Sequence, residues 1–272
     1  MGARLSAGAH AVATFVPMAD DLVLALAQTT PVPGDLPANV AHALDVADAA
    51  AAEGARLLVF PELSLIGYDL ALLHDDACWA SGAGDPRLEP LRARARRHGM
   101  WIVAGAPVRE PGAAPVIGSI VLGPAGQDHV HPKAHLHGSE TGWFTAGRPQ
   151  PPIDVDGWLV ALAVCFDMAH PGHAAQAAAA GADLYVSSSV YVQGEERRHD
   201  LHHGARAMDH RMYTAMAGLT GPSAIGSAIG GTAVWAPDGS RVAGLDGLPG
   251  LLVHRLRSTE IERHRPRARP RG

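Results

Sequence analysis

The sequence predicts an α/β protein whose sheets are covered by helices, because strand-like and helix-like segments alternate along most of the chain. The strand-like segments are short apolar runs, and segments with a helical repeat of apolar residues separate them. The chain has 272 residues, of which 47% are hydrophobic and only 18% are charged. These values suit one large globular domain with a sizeable core.

The first half of the chain repeats a strand–helix unit and then forms a hairpin. Val40, Leu44, Ala47 and Ala51 recur on one helical face, and Gly54 follows them where a helix C-cap is expected. The predicted elements are strands at Leu22–Gln28, Arg56–Phe60 and Trp101–Pro107, helices at Pro37–Glu53 and Arg87–His98, and a hairpin of Ser119–Leu122 with His129–His131.

The second half continues the alternation. An apolar strand begins at Leu159 and runs into Cys165, and a turn at Pro237-Asp238-Gly239 separates the last two strands. The other predicted elements are a small-residue helix at Gly172–Ala180, a strand at Asp183–Ser188, a polar helix ending near His210, and strands at Tyr213–Leu219, Thr232–Ala236 and Gly250–Val253.

Both ends of the chain differ in composition from the rest. Residues 1–20 are predicted to be a flexible extension, because a signal peptide needs a continuous apolar core and His10, Thr14 and Pro17 interrupt this stretch. Residues 258–272 are predicted to be a basic tail rich in proline and arginine, solvated because it lacks apolar periodicity. The folded domain is therefore predicted to span residues 21–257.

Charge and cysteine content limit the possible functions. The net charge of -5 does not provide the basic surface that nucleic-acid binding needs. No apolar run approaches the roughly 20 residues of a membrane span. The two cysteines, Cys78 and Cys165, lie far apart and form no disulfide framework, so a reducing, cytoplasmic location is expected. No cofactor is expected.

Cys165 is a candidate nucleophile. It follows six apolar residues and precedes Phe166-Asp167, as at a turn from a buried strand into a helix. There the helix N-terminus could lower the pKa of the thiol, and the backbone N–H groups after it could face an oxyanion. A single cysteine can also be a small buried hydrophobic residue, so its partners decide between these interpretations.

Two other predicted strand ends carry candidate partners. Glu62 follows the strand Arg56–Phe60 and Pro61, and a partly buried carboxylate with a raised pKa could act as a general base. Lys133 follows the hairpin strand, where a fixed ammonium group could stabilise a tetrahedral oxyanion. Taken alone, a glutamate or a lysine is more often a solvated surface residue.

Together these residues resemble the motifs of the carbon–nitrogen hydrolase family, also called the nitrilase superfamily. Its three motifs correspond here to Leu58–Leu63 around Glu62, to Lys133–Leu136 with the later Glu140, and to Cys165-Phe166-Asp167 with His170-Pro171. The resemblance extends from about Leu22 to Val253. It implies a four-layer α-β-β-α sandwich that commonly forms dimers or larger homo-oligomers.

The resemblance also implies roles for individual residues. Cys165 would be the nucleophile, Glu62 the general base and acid, and Lys133 the stabiliser of the tetrahedral intermediate, sharing the oxyanion with the Phe166 backbone N–H. Glu140 would position the substrate or Lys133. Tyr68, Trp143 and Phe166 are candidate substrate-binding residues, although Tyr68 and Trp143 could equally be packing residues.

Departures from the family pattern bear on the substrate. Ala169 and His170 replace an arginine and a phenylalanine found in many relatives, and some relatives use that arginine to bind a substrate carboxylate. Neutral or cationic small amides are therefore expected to be better substrates than anionic ones. Cys165-Phe166-Asp167 resembles amidases more than nitrilases, and nitrile or N-carbamoyl substrates remain the alternatives.

Two other classes of function are also considered. A metal-dependent hydrolase could use histidines near Lys133 or in the later polar helix, although neither group matches a recognised metal motif. A catalytically inactive member of the fold could serve as a binding subunit. The histidines concerned are His129, His131, His135 and His137 in the first group, and His199, His202, His203 and His210 in the second.

Overall fold

The computed structural model describes residues 20–265. Residues 1–19 of the predicted extension and 266–272 of the predicted tail lie outside the described residues. No helix between residues 20 and 265 is long and apolar enough to cross a lipid bilayer.

Fourteen strands and five α-helices form within these residues. The strands are β1 (Leu22–Gln28), β2 (Leu57–Val59), β3 (Trp101–Val108), β4 (Val116–Leu122), β5 (His129–Pro132), β6 (Ile153–Val155), β7 (Trp158–Val164), β8 (Leu184–Ser189), β9 (Tyr213–Gly218), β10 (Thr220–Ser223), β11 (Gly226–Ile229), β12 (Ala233–Trp235), β13 (Arg241–Gly244) and β14 (Gly250–Leu256). The helices are α1 (Leu36–Ala52), α2 (Glu89–His98), α3 (Pro171–Ala179), α4 (Glu196–His210) and α5 (Ser258–His264).

The strands form two six-stranded sheets and a separate hairpin of β10 with β11. The first sheet has the order β14-β1-β2-β3-β4-β5, and the second has the order β13-β12-β9-β8-β7-β6. In each sheet three neighbouring strands are parallel, β1-β2-β3 and β7-β8-β9, and the other pairs are antiparallel. Helices α1 and α2 connect the first parallel set, and α3 and α4 connect the second. The carboxyl ends of the parallel strands are where α/β proteins place their sites.

The sheets pack face to face, and the helices cover their outer faces. Leu22, Leu24 and Leu26 of β1 contact the second sheet through residues such as Trp158 and Val160. The intervening alanines of β1 belong to the core beneath α1, because successive side chains of a strand point to opposite faces. Alanines of β7 pack against α3 in the same way. The predicted four-layer α-β-β-α sandwich is thus confirmed.

The predicted start of a tail at residue 258 is wrong. Residues Ser258–His264 form α5, and Ile261 is buried in the core between the sheets. Arg265 also donates to the Asp183 carboxylate at 2.6 Å. The arginine-rich composition suggests solvation, but one apolar residue on a short helix and one buried ion-pair partner are enough to hold this segment against the domain.

Four further strands were not predicted. β6 has only three residues, and β13 is largely exposed and begins with an arginine. The hairpin of β10 and β11 contains Gly221 and Pro222, which are unfavourable in strands. These short elements depend on their partners, and they lack the apolar run by which the other strands are recognised.

Candidate active site

Glu62 is held in place by a tight contact between its loop and β3. A Cβ atom at Gly105 of β3 would lie 2.4 Å from Leu63 N and 2.4 Å from Pro61 O, so only glycine permits this approach. Gly105 N also donates to Ser64 Oγ at 3.1 Å, and Leu63 adopts a left-handed φ of 49°. The backbone thus turns sharply after β2 and directs Glu62, which is completely buried, inward.

Lys133 follows β5 directly and is fixed on both sides of its backbone. Its N–H donates to Ile117 O at 2.8 Å, and its carbonyl accepts from Gly147 N at 2.8 Å. Its Nζ donates to Glu62 Oε1 and to Glu140 Oε1, both at 2.7 Å. One buried ammonium group therefore bridges two buried carboxylates.

Cys165 begins the turn after β7. It has a left-handed φ of 43°, unusual for a residue with a side chain, and it starts a 3₁₀ turn over Cys165–Ala169. The thiol donates to Val190 O at 3.4 Å, and the residue is half-buried whereas Glu62 and Lys133 are fully buried. The structure thus brings together the three residues that the sequence placed at separate strand ends.

Glu140 and Tyr68 complete the buried network. Glu140 Oε1 accepts from Lys133 and, at 2.5 Å, from the Tyr68 hydroxyl, while Oε2 accepts from His137 N at 2.7 Å. Tyr68, a candidate substrate-binding residue, therefore directs its hydroxyl group at Glu140. Charge-assisted hydrogen bonds of this kind hold a buried carboxylate in a fixed orientation.

Glu62 has one occupied and one free oxygen. Oε1 accepts from Lys133, whereas the buried Oε2 has no hydrogen-bond partner within residues 20–265. Burial raises the pKa of Glu62 to about 7, against the opposing effect of Lys133. Buried polar atoms are nearly always paired, so an unpaired carboxylate oxygen marks a group available for chemistry.

The expected lowering of the Cys165 pKa is wrong. Desolvation first, and then the charge of Glu62, raise the pKa of the thiol well above its usual value, although Lys133 partly offsets this. The physical reason is local: helix α3 begins only at Pro171, after the 3₁₀ turn, and the negative charges of Glu62 and Glu140 act on the sulfur. The Cys165 thiol is therefore neutral at rest.

Lys133 remains charged despite its burial. Desolvation by itself would lower its pKa, but Glu62, Cys165 and Glu140 outweigh that effect and raise the pKa above its usual value. Two carboxylates and one ammonium group leave the site with a negative charge when Glu62 is ionised. This charge adds to desolvation in disfavouring a resting thiolate.

Asp167 is a structural link that the sequence analysis did not single out. Its buried carboxylate accepts from Val164 N at 3.0 Å, from His135 N at 2.8 Å and from His135 Nδ1 at 2.8 Å. It thereby ties the turn that carries Cys165 to the loop that carries Lys133. The Cys165-Phe166-Asp167 motif is the sequence signal for this residue. The role of Asp167 becomes clear only from the positions of the Cys165 turn and the Lys133 loop in the structure.

Phe166 and Trp143, two candidate substrate-binding residues, have different surroundings. The Phe166 ring is half-buried, with its centroid 4.7 Å from that of His137 and 5.0 Å from that of His170. Trp143 packs edge-on against His74 at 4.9 Å between centroids and contacts the core beneath the first sheet. Phe166 adjoins Cys165 in sequence, whereas Trp143 has the surroundings of a packing residue.

The histidines are dispersed among several structural contacts. His135 binds Asp167, and burial lowers the pKa of His131 to about 4. His203 in α4 is paired through its two nitrogens with Ser187 Oγ at 3.0 Å and His199 O at 2.8 Å. Within the described part of the chain, no group of three or more histidine, cysteine or acidic side chains could hold a metal ion.

A cysteine, a lysine and two glutamates at the strand ends of a four-layer sandwich are the features of a carbon–nitrogen hydrolase. The family model described as "Carbon-nitrogen hydrolase" matches residues 23–265. The chain therefore belongs to the carbon–nitrogen hydrolase family, and it is an amidase-like hydrolase of the nitrilase superfamily.

Similar proteins agree with this assignment. The chain is 31% identical over 233 residues to "Hydrolase in pqqF 5'region" of Pseudomonas protegens, covering 85% of this chain and 80% of the relative. It is 24% identical to the chloroplastic omega-amidase of Arabidopsis thaliana, covering 86% of this chain and 67% of that protein.

A solved structure of an amidase from Nesterenkonia sp. has a TM-score of 0.78 and 28% identity, covering 92% of this chain and 96% of that chain. Variants of that amidase have been solved in complex with acrylamide and with butyramide. Another variant shows covalent addition of the acetamide moiety of fluoroacetamide at the active-site cysteine.

Proposed function

We propose that this protein hydrolyses the C–N bond of small linear amides through a thioester on Cys165, with Glu62 and Lys133 completing the catalytic triad. The observation that carries the proposal is the pair of Glu62 oxygens, one held by Lys133 at 2.7 Å and the other without a partner among the residues that the structure describes. This arrangement fixes the carboxylate in orientation and leaves it an oxygen to receive a proton.

In the acylation half-reaction, Glu62 removes the Cys165 proton as the sulfur attacks the amide carbonyl carbon. Lys133 stabilises the resulting oxyanion together with the Phe166 backbone N–H, and Glu62 then protonates the leaving nitrogen. The C–N bond breaks, ammonia or an amine leaves, and a thioester remains. Because Glu62 removes the proton during the attack, this sequence needs no preformed thiolate and is compatible with a neutral resting thiol.

In the deacylation half-reaction, Glu62 takes a proton from water, and the hydroxide attacks the thioester carbonyl. The tetrahedral intermediate collapses to the carboxylic acid, and the Cys165 sulfur recovers the proton from Glu62. A Glu62 pKa of about 7 suits both directions of proton transfer near neutral pH. Glu140 keeps Lys133 in place throughout, as its 2.7 Å contact with Nζ supports.

For the substrate class we propose neutral or cationic primary amides. Ala169 supplies no cation beside the nucleophile turn, and the similar amidase from Nesterenkonia sp. has been solved with two small neutral amides. Tyr68, Phe166 and Trp143 remain candidate substrate-binding residues, with Phe166 the best placed. Nitriles and N-carbamoyl compounds remain the alternative substrates on the same fold.

We also propose a cytoplasmic homo-oligomer. Cys78 and Cys165 are both free thiols, as expected in a reducing compartment. Size-exclusion chromatography with light scattering measures the oligomeric state directly.

The test is ammonia release from a panel of small amides, nitriles and carbamoyl compounds, combined with intact-protein mass spectrometry. The wild-type protein should hydrolyse amides and accumulate an acyl adduct on Cys165. Cys165→Ala should lose both signals while keeping its circular dichroism spectrum and its melting temperature. Amide turnover by folded Cys165→Ala, or inhibition of the wild type by a chelator, would overturn the thioester mechanism, and turnover of nitriles alone would overturn the choice of substrate.

A further inference from the structure

We propose that the ion pair of Glu195 with Arg198 determines charge specificity, by cancelling the positive charge that Arg198 would otherwise present to a substrate at the entrance to Cys165. This inference rests on the proposed amide hydrolysis and deepens it. Glu195 Oε1 accepts from Arg198 Nη1 at 3.0 Å. The pair makes the poor acceptance of anionic amides a property of two named side chains.

The pair lies next to the residues that surround the nucleophile. The Arg198 guanidinium carbon is 5.8 Å from the centroid of the Phe166 ring, and Phe166 directly follows Cys165. Glu195 Oε2 accepts from Val192 N at 3.2 Å, two residues beyond Val190, whose carbonyl accepts the Cys165 thiol. Both side chains thus lie beside the half-buried Cys165-Phe166 segment and outside the buried network of Glu62, Lys133 and Glu140.

The buried Tyr191 hydroxyl group lies within reach of the same charges. Desolvation raises the pKa of Tyr191, and the charges of Cys165, Arg198 and Glu195 all act on it, Arg198 in the opposite direction to the other two. A substrate tail extending from Cys165 past Phe166 would therefore enter a region where the charges of Arg198 and Glu195 oppose each other.

Another cation near this part of the chain is unsuited to the same role. Arg206 in α4 is buried, and its guanidinium group donates to Met168 O at 3.4 Å behind the nucleophile turn. Burial lowers the pKa of His202, whose Nδ1 lies 3.5 Å from the Tyr191 hydroxyl group, to about 4, so it is neutral near pH 7. Of these three side chains, Arg198 is the one that carries a half-exposed positive charge beside Phe166.

The chain provides matched controls at the neighbouring positions. Glu195 and Arg198 are half-buried, whereas Glu196 and Arg197 carry the same charges and are exposed on the same helical turn. Glu195→Gln and Glu196→Gln each remove one negative charge, and Arg198→Gln and Arg197→Gln each remove one positive charge. Only Glu195→Gln and Arg198→Gln alter the ion pair, so Glu196→Gln and Arg197→Gln control for the change in net charge.

The experiment measures kcat/KM for three amides of nearly equal size. These are butyramide, succinamate, in which a carboxylate replaces the terminal methyl group, and β-alaninamide, in which an ammonium group replaces it. Glu195→Gln should raise the ratio of succinamate to butyramide roughly three- to fivefold, the scale of a half-exposed ion pair. Arg198→Gln should raise the ratio of β-alaninamide to butyramide by a similar factor.

Two further readouts separate charge from structure. The double variant Glu195→Gln/Arg198→Gln should return both ratios toward the wild-type values, because it restores local neutrality. The shifts should shrink as the salt concentration rises, since mobile ions screen half-exposed charges. A variant that acted by disturbing the structure would show neither the recovery in the double variant nor the decrease with salt.

The outcomes distinguish this inference from the proposed function. Unchanged ratios in both single variants, or equal shifts in Glu196→Gln and Arg197→Gln, would overturn the role of the pair while leaving amide hydrolysis intact. A wild-type protein that hydrolysed none of the three amides would overturn the proposed function, and with it this inference.

Discussion

The Lys133–Glu62 pair and the Arg56–Asp156 pair have nearly the same separation between charged atoms, 2.7 Å and 2.6 Å, but they lie in opposite surroundings. Both side chains of the first pair are completely buried, whereas those of the second are 42% and 50% exposed. In water, opposite charges at this distance gain little, because solvent already stabilises each of them. In the interior each charge depends on its partner.

This comparison shows that distance alone does not rank the ion pairs of this protein. Because the charged groups of the site are buried, each of them needs its partner to remain stable. Burial also moves the pKa of Glu62 into the range where a proton can be exchanged near neutral pH. The exposed Arg56–Asp156 pair has no comparable effect on its surroundings. The following variants test this contrast, from the largest expected effect to the smallest.

Lys133→Met should be the most damaging of these changes. It leaves Glu62 and Glu140 buried without their shared cation, so amide hydrolysis should fall at least about a hundredfold and the free energy of unfolding by about 3–5 kcal/mol. Urea denaturation and ammonia-release kinetics measure both effects. Arg56→Met is the control and should change the free energy of unfolding by less than about 1 kcal/mol. Equal losses in the two variants would contradict the importance of burial.

Glu62→Gln should lower kcat by about a hundredfold or more, because it removes the general base with little change in shape. The double variant Glu62→Gln/Lys133→Met should be far less impaired than the product of the two single effects, since residues that act as a unit are not additive. Strictly multiplicative losses would show that the two residues act independently.

The raised Glu62 pKa also predicts two opposite pH dependences. The wild-type kcat/KM should rise with pH through about 7 as the general base ionises. The contribution of Glu62 to stability should decrease over the interval from its ordinary value of 4.5 up to about 7, because the folded state binds the proton more tightly than the unfolded state. Glu62→Gln should remove this stability trend in urea titrations at several pH values, and its persistence would assign the trend to other groups.

Tyr68→Phe should have the smallest effect in this series. It removes the hydroxyl group that donates to Glu140 at 2.5 Å, but Lys133 and His137 still bind that carboxylate. We expect kcat/KM to fall roughly tenfold and stability to fall by about 1–3 kcal/mol, the range for leaving a buried partner without one hydrogen bond. Tyr213→Phe, at a site far from Cys165, is the control for loss of a tyrosine hydroxyl group. Similar kinetic losses in both variants would exclude a specific role for Tyr68.

Much of the fold could be predicted because its signals are local. In β1 the alternation of leucine with smaller residues expresses the two faces of a buried strand, and Gly54 and Gly99 end α1 and α2 as their positions suggest. The elements that were missed lack such signals. In α5 one residue, Ile261, contributes the buried apolar side chain, so its helix could be recognised only after the core to which it belongs had formed.

The sequence by itself determined which residues meet at the site. Glu62, Lys133 and Cys165 each follow a strand, and the resemblance to a known family orders them before any contact is known. It did not identify Asp167 as the link between two loops, nor the ion pair of Glu195 with Arg198. Those contacts join residues from separate segments or depend on where a helix lies relative to the nucleophile turn.

Only the tertiary structure decided the charge states of the site. A strand end followed by a helix suggests a lowered thiol pKa, yet the Cys165 pKa is raised, because desolvation and the charge of Glu62 act from parts of the chain that are distant in sequence. The same holds for Lys133, whose charge is maintained by two carboxylates against its own burial. The amino-acid sequence determines which ionisable group each position carries. The protonation state of that group depends on the dielectric surroundings and the neighbouring charges that folding assembles.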